Sequence, residues 1–210
     1  MDSSNSNGFY SPDAYTVKDT KKITDFIREY SLGTIFSSTS NGMNATSVPL
    51  LVDDNCTMLE GHMSRGNPQW HNLDGKRILV YFQGPNHYIS PLWYGEDKSV
   101  STWNYVSVRI TGVFNIIEDD DLKMQLLDRQ TSFHEHKVGQ DWYPDWSYKN
   151  FSGMLSGIIA FRINVEDFTG TWKLSQNHPK KSVLNMSEKL ESLANPNSIE
   201  IARLAREAVK

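Results

Sequence analysis

The chain has 210 residues, 38% hydrophobic and 22% charged, with a formal net charge of −4 and a pI near 5.8. That length holds one large domain with its own core, and the acidic balance argues against direct nucleic-acid contact, which draws most of its affinity from neutralising phosphates. The single cysteine, Cys56, excludes an internal disulfide or a multi-cysteine metal site, and no apolar run approaches the roughly 18 residues of a membrane helix.

The first residues, MDSSNSNGFYSPDAY, are polar and lack the apolar stretch of a signal peptide, so a cytoplasmic protein with a flexible arm over residues 1–14 is expected. Thr16 with Asp19 resembles a capping box, and Ile23, Phe26, Ile27 and Tyr30 then fall on one helical face, with Gly33 as the stop. Strands follow over 33–37, 44–52 and 56–63. They are separated by Asn41-Gly42, a strong hairpin signal, and by Asp53-Asp54-Asn55. Three strands so spaced predict an antiparallel meander.

Asn67-Pro68 opens a short helix through Trp70 and Leu73. The run RILVYF, residues 77–82, reads as a central strand, and residues 84–100 read as a loop containing Gly and Pro. Thr102 to Ile117 alternates, with Trp103, Tyr105, Ser107, Arg109 and Thr111 on one face and Asn104, Val106, Val108 and Ile110 on the other. Residues 118–155 look helical and charged, interrupted near Trp142-Tyr143-Pro144. Gly157 to Val165 is the last clear strand and continues toward Lys173. The tail reads as two helices, with stripes Met186, Leu190, Leu193 and Ile201, Leu204, Ala205, the second helix started by Asn195-Pro196. Some six antiparallel strands with helices at the start, middle and end escape open edges by curling into a barrel.

Four segments carry chemistry. In GHMSRGNPQW a strand meets a helix start, where backbone N–H groups, the Ser64 hydroxyl, the planar fork of Arg65 and His62 could hold an anion; a capped helix with a surface arginine is the plain alternative. In FQGPNHYISPLWY, residues 82–94, a rigid aromatic loop could wall a flat heteroaromatic ring, with Gln83 on its polar atoms, or could pack upon itself. Asn104 among the aromatics of STWNY suggests a ligand contact or a buried hydrogen bond, against a simple cross-strand aromatic ladder. In GTWKLSQN, Lys173 could neutralise an anion or merely end a strand. His134-Glu135-His136 does not share a helical face and has no third ligand in sequence, so no metal is expected.

These segments, in this order, resemble the PaiB family of FMN-binding proteins from about residue 9 to the C-terminal helices; the matching strings are VPLLVDD, GHMSRGNPQW, VYFQGPNHYISPLWY, VSTWNYVSVRITG and GTWKLSQN. The resemblance implies a mainly β, α+β fold: a six-stranded antiparallel FMN-binding split barrel with an N-terminal helix and C-terminal helices, paired barrel to barrel as a homodimer with FMN in the crevice between subunits. It implies that Ser64 and Arg65 hold the phosphate with His62 and Asn67 nearby. It places Gln83, His87, Trp103 and Asn104 near the flavin, and takes Lys173 and Ser175 from the second subunit. The chain departs from the family pattern at Ser47, where a histidine is usual, and at Asn86-His87, where the pattern is His-Ala. The expected domains are the split barrel over 15–178 and a helical extension over 179–210. The function so implied is a flavin-dependent redox or regulatory protein. The alternatives are a haem-binding barrel using His62, His71 or His87, and a ligand-sensing module without catalysis.

Overall fold

The computed structural model describes residues 10–39, 42–96, 98–146 and 151–210. Its elements run in chain order: β1 (Thr16–Val17), α1 (Thr20–Glu29), β2 (Leu32–Thr39), β3 (Gly42–Val52), β4 (Met58–Ser64), β5 (Lys76–Ile89), β6 (Thr102–Ile117), α2 (Asp120–Lys137), α3 (Phe151–Ser156), β7 (Ile158–Lys173), α4 (Lys180–Ser192) and α5 (Pro196–Ala208). Short 3-10 turns sit at Asp13–Tyr15, Pro68–Asn72 and Pro91–Trp93.

Strand pairing runs β1-β7-β4-β3-β2-β5-β6, and β6 pairs back to β7. The six longer strands therefore close a ring, and the two-residue β1 hangs on β7 through Thr16 opposite Thr171. The meander is present: β2 faces β3 from Leu32 opposite Pro49 to Thr39 opposite Gly42, and β3 faces β4 with Leu50 opposite Gly61. Asn41 of the expected hairpin turn lies outside the described residues, as do residues 1–9 of the expected arm.

The chain divides into two compact units. One gathers residues 19–82 and 109–168. Its core is Ile35, Leu50, Leu59, Val80, Phe82, Ile110, Phe114 and Phe161, all at most 1% exposed. Phe114 stacks on Phe161 at 4.5 Å. The strands of this unit approach closely where they carry glycine. A Cβ at Gly33 would stand 2.7 Å from the Phe82 ring, and one at Gly112 would run into the backbone carbonyl of Asn164. The other unit gathers residues up to Lys18, 83–108 and 169–210, with Ile89, Tyr94, Val106, Leu174, Val183, Met186, Leu190 and Ile201 buried.

Four expectations need correction. Asp19, not Thr16, caps α1, its carboxylate accepting the Lys22 N–H at 2.7 Å, while Thr16 is drawn into β1. Gly33 does not stop the helix, which ends at Glu29; it lies inside β2, where space forbids a side chain. Residues 84–89 are strand rather than loop. Pairing of β5 with β2 covers Leu79 to Tyr81, so the missing N–H of Pro85 interrupts no bond to β2. In α4 the buried stripe is Val183, Met186 and Leu190, and Leu193 lies past the helix end, 45% exposed. Among the described residues no helix is long and apolar enough to cross a membrane.

Candidate functional site

The larger unit carries the first group. β4 delivers His62 and Ser64, then turns through Arg65 and Gly66 to Asn67. The turn is anchored from both sides. The Arg65 N–H donates to the Gly157 carbonyl at 2.9 Å, its Nε to Ser156 O at 2.6 Å and its Nη2 to Ile158 O at 3.2 Å. Trp70 Nε1 donates to Arg65 O at 2.9 Å, and the guanidinium carbon lies 5.9 Å over the Trp70 ring, within cation–π range. Arg65 is nonetheless exposed, and so is Ser64, whose Oγ accepts from Gly66 N–H at 3.2 Å and keeps its own hydrogen to donate.

After the turn comes a 3-10 helix of five residues, too short for a useful dipole. Asn67 Oδ1 already occupies the Gln69 N–H at 2.9 Å, and Asn67 Nδ2 donates to Thr46 Oγ1 at 2.9 Å. The donors this turn leaves at the surface are therefore on the Ser64 and Arg65 side chains rather than at the helix end. Gln69 is buried and donates to Ile35 O and Ser37 Oγ, fixing the turn to β2. His62 sits apart from this: its Nδ1 meets Gln130 Oε1 of α2 at 2.7 Å, and Gln130 Nε2 donates to Pro49 O.

The smaller unit carries the second group, which divides into an exposed and a buried half. Gln83 is exposed, with Nε2 3.3 Å from Gly84 O. Trp103 Nε1 donates to Asn86 Oδ1 at 3.2 Å, and Tyr88 meets Trp103 edge to face at 6.1 Å. His87 turns its Nδ1 to Tyr88 O at 2.6 Å and lies 6.2 Å from Trp93, ring to ring. Lys173 Nζ donates to Thr102 Oγ1 at 2.7 Å.

Asn104 and Ser175 are buried and bound to each other. Ser175 Oγ lies 2.9 Å from Asn104 Nδ2, 3.0 Å from its Oδ1 and 2.7 Å from the Tyr94 hydroxyl. Asn104 Nδ2 also approaches Met186 Sδ of α4 at 3.5 Å. Tyr94 in turn stacks on His178 at 3.9 Å and 7°, and His178 Nδ1 meets Glu96 Oε1 at 3.2 Å. Burial holds the Tyr94 hydroxyl above its ordinary pKa, against the lowering effect of Ser175. The Ser182 hydroxyl, and after it His178, keep Glu96 below the ordinary carboxylate range despite some desolvation. Sequence reasoning missed Asn86, Thr102, His178 and Glu96 as partners. Asn86 stood in the aromatic loop, but nothing in sequence paired it with Trp103.

A family model for "Putative FMN-binding domain" matches residues 9–167, a span that includes the Ser64-Arg65 turn and the Gln83–Asn104 segment. The chain is 33% identical over 204 residues to the protease synthase and sporulation protein PAI 2 of Bacillus subtilis strain 168, covering 96% of this chain and 98% of that protein. It is 30% identical over 133 residues to the uncharacterized protein YKL070W of Saccharomyces cerevisiae, covering 50% of this chain and 79% of that one. Two solved structures share its fold at a TM-score of 0.58 each. One is an FAD and haem binding protein from Mycobacterium smegmatis, 16% identical, covering 76% of this chain and 73% of that one. The other is the flavocytochrome Anf3 from Azotobacter vinelandii, 11% identical, covering 75% and 69%.

Proposed function

The chain belongs to the FMN-binding domain family, and on that ground we propose that it is an FMN-dependent redox protein that acts as a homodimer. The observation that carries the reading is the family match across residues 9–167. The residues present fit FMN by their chemistry. Ser64 and Arg65 offer a hydroxyl and a guanidinium at the surface, the donor types a phosphate takes. Tyr88 and Trp103 offer half-exposed aromatic faces, and Gln83 an amide, the groups suited to a planar ring with polar edges.

FMN supplies the electron chemistry when bound, and the protein supplies position and electrostatics. In this reading Arg65 and Ser64 hold the phosphate, with Asn67 and His62 behind them fixing the turn and β4. Trp103 and His87 border the ring, and Lys173 offers a cation beside Thr102. Asn104 and Ser175 are buried and hold β6 to the segment after β7 through one shared hydroxyl. The partner subunit covers apolar surface that the smaller unit leaves open: Leu92 is 87% exposed and Val100 80%, in the same segment as Tyr88 and Trp103.

Titrating the protein with FMN and with riboflavin tests the reading. Flavin fluorescence should be quenched on binding, and riboflavin should bind roughly tenfold or more weakly, since it lacks the charge-assisted contacts of the phosphate. Equal affinity for the two would remove the role given to Ser64 and Arg65. A Soret band in the purified protein, in place of flavin absorption, would replace FMN by haem.

A further inference from the structure

Between α1, β3, β4 and α2, within the larger unit, lies a cavity of about 360 Å³. It is remote in sequence from the Gln83–Asn104 segment and is not lined by Ser64 or Arg65. Leu50, Leu51, Val52, Met58 and Phe133 make its walls apolar. Four charged side chains also reach it, Arg28, Asp53, Glu60 and Arg129, and their hydrogen bonding is lopsided.

Both carboxylates are held by the protein through both of their oxygens. Asp53 Oδ1 accepts the N–H groups of Thr57 at 2.7 Å and Met58 at 2.8 Å, and its Oδ2 accepts the Thr57 hydroxyl at 2.6 Å. Glu60 is buried, with Arg162 on Oε1 at 2.8 Å and Arg129 on Oε2 at 2.6 Å. The arginines are not so engaged. Arg129 commits one Nη2 to Glu60, and Arg28 commits Nη2 to Asp54 at 2.5 Å with its Nη1 a longer 3.9 Å from Asp25. Among the described residues both guanidiniums thus keep N–H groups outside these bonds, while every oxygen of Asp53 and Glu60 already accepts at least one.

We propose that this cavity binds a small monocarboxylate with an apolar body. The carboxylate takes the remaining N–H groups of Arg129 and Arg28, and the body lies against Leu51, Met58 and Phe133. Ligand pockets run from about 300 to 1,000 Å³, so a volume near the lower end selects a compact aryl or short alkyl acid. A cationic ligand would meet carboxylates that already accept from the protein, and a neutral one would forgo the charge-assisted bonds to the guanidiniums. Glu60 is the positioning residue: it fixes the Arg129 fork from below while Arg162 offsets its buried charge.

The test uses the full chain, without FMN and loaded with it. Phenylacetate is the probe and phenylacetamide its neutral counterpart, measured by saturation-transfer NMR and calorimetry. Phenylacetate should bind both forms with the same affinity, and the amide about tenfold or more weakly. Arg129→Gln should weaken phenylacetate by about the same factor, with melting temperature largely kept because Glu60 retains Arg162. Val52→Trp, which puts an indole into the cavity and removes none of its charged side chains, should abolish binding even if Arg129→Gln folds poorly. Equal binding of acid and amide, displacement of phenylacetate by inorganic phosphate, displacement by FMN, or no binding at millimolar probe would each overturn the proposal.

Discussion

Ser175 has φ of 65°, in the left-handed region that a side-chain-bearing residue rarely enters, and it is buried. Its hydroxyl, shared between Asn104 and Tyr94, holds it there. Ser175→Ala leaves the strain in place and strands two buried polar groups, so it should cost about 1–3 kcal/mol, read as a lowered denaturation midpoint. Ser175→Gly removes the strain together with the hydroxyl and should cost less; the order of the two variants is the check. Arg65 shows how a residue can be singled out in sequence while its bonds stay hidden. Its type and place, after a strand and before Asn67-Pro68, marked it as an anion ligand. Its bonds to the carbonyls of Ser156 and Ile158 join positions 91 and 93 residues away, and no local pattern encodes them. Arg65→Ala should therefore weaken FMN binding by about ten- to a hundredfold and also lower the melting temperature slightly, since the two exposed carbonyls regain water. Unchanged FMN affinity with a lower melting temperature would leave Arg65 only its structural work. Asp53 gives a pH signature. Desolvation pushes its carboxyl up, but the Thr57 hydroxyl and the N–H groups of Met58, Thr57 and Asn55 outweigh it and leave the pKa lowered. A carboxyl lowered in the folded state contributes stability above its unfolded pKa and loses it as pH falls through the folded one. Asp53→Asn should thus be less stable than the parent at neutral pH and show a shallower loss below about pH 5, followed by melting temperature against pH.

α1 is fastened at both ends by residues with different visibility in sequence. Its N-cap, Asp19, lies one residue before the helix, yet Thr16 offered a competing cap, and only the pairing of Thr16 with Thr171 on β7 decides between them. Its C-terminal carbonyls, those of Arg28 and Glu29, accept Lys137 Nζ from the end of α2, a contact across more than a hundred residues. Lys137→Met should loosen the last turn of α1 by about 0.3–1 kcal/mol, visible as faster hydrogen exchange at Phe26 to Tyr30 and not at Ile23. The strands were the most legible elements: β6 begins and ends at the residues its alternation marks, because a period of two over sixteen positions has few rivals. α2 was legible only as a charged helical stretch. It rests on Leu126 near Ile117 and Ala160, and for the rest on polar bonds, Gln130 to His62 and Arg129 to Glu60. A helix held that way shows little apolar stripe to read. β5 was cut short in sequence because Gly84-Pro85 reads as a breaker, whereas an unpaired side toward β2 tolerates it.

At the scale of the molecule, neither compact unit is a contiguous piece of chain. β5, β6 and β7 each contribute residues to both units, and the helical tail clusters with residues 83–108. Sequence alone suggests contiguous domains, since it shows where elements begin and not which long strand serves two cores. The smaller unit leaves large apolar side chains at its surface: Tyr88 at 44%, Leu92 at 87%, Val100 at 80% and Trp103 at 49% exposed. Single exposed leucines are ordinary, but four such residues within sixteen positions of one segment, with Tyr88 and Trp103 in ring contact, are apolar surface for which we propose cover by a partner. The proposed second subunit would supply it, and light scattering should find a dimer at micromolar concentration. Leu92→Glu would place a charge where the apolar face is buried in the dimer, and should give monomer without loss of fold, since Leu92 makes no core contact to lose in the single chain at 87% exposure. If FMN lies between subunits, the same variant should also bind FMN at least about tenfold more weakly, although it alters none of the phosphate-holding side chains. A monomeric Leu92→Glu with full FMN affinity would separate the two claims, leaving the dimer and moving the flavin to a single chain. A parent protein that is monomeric throughout would remove the dimer itself.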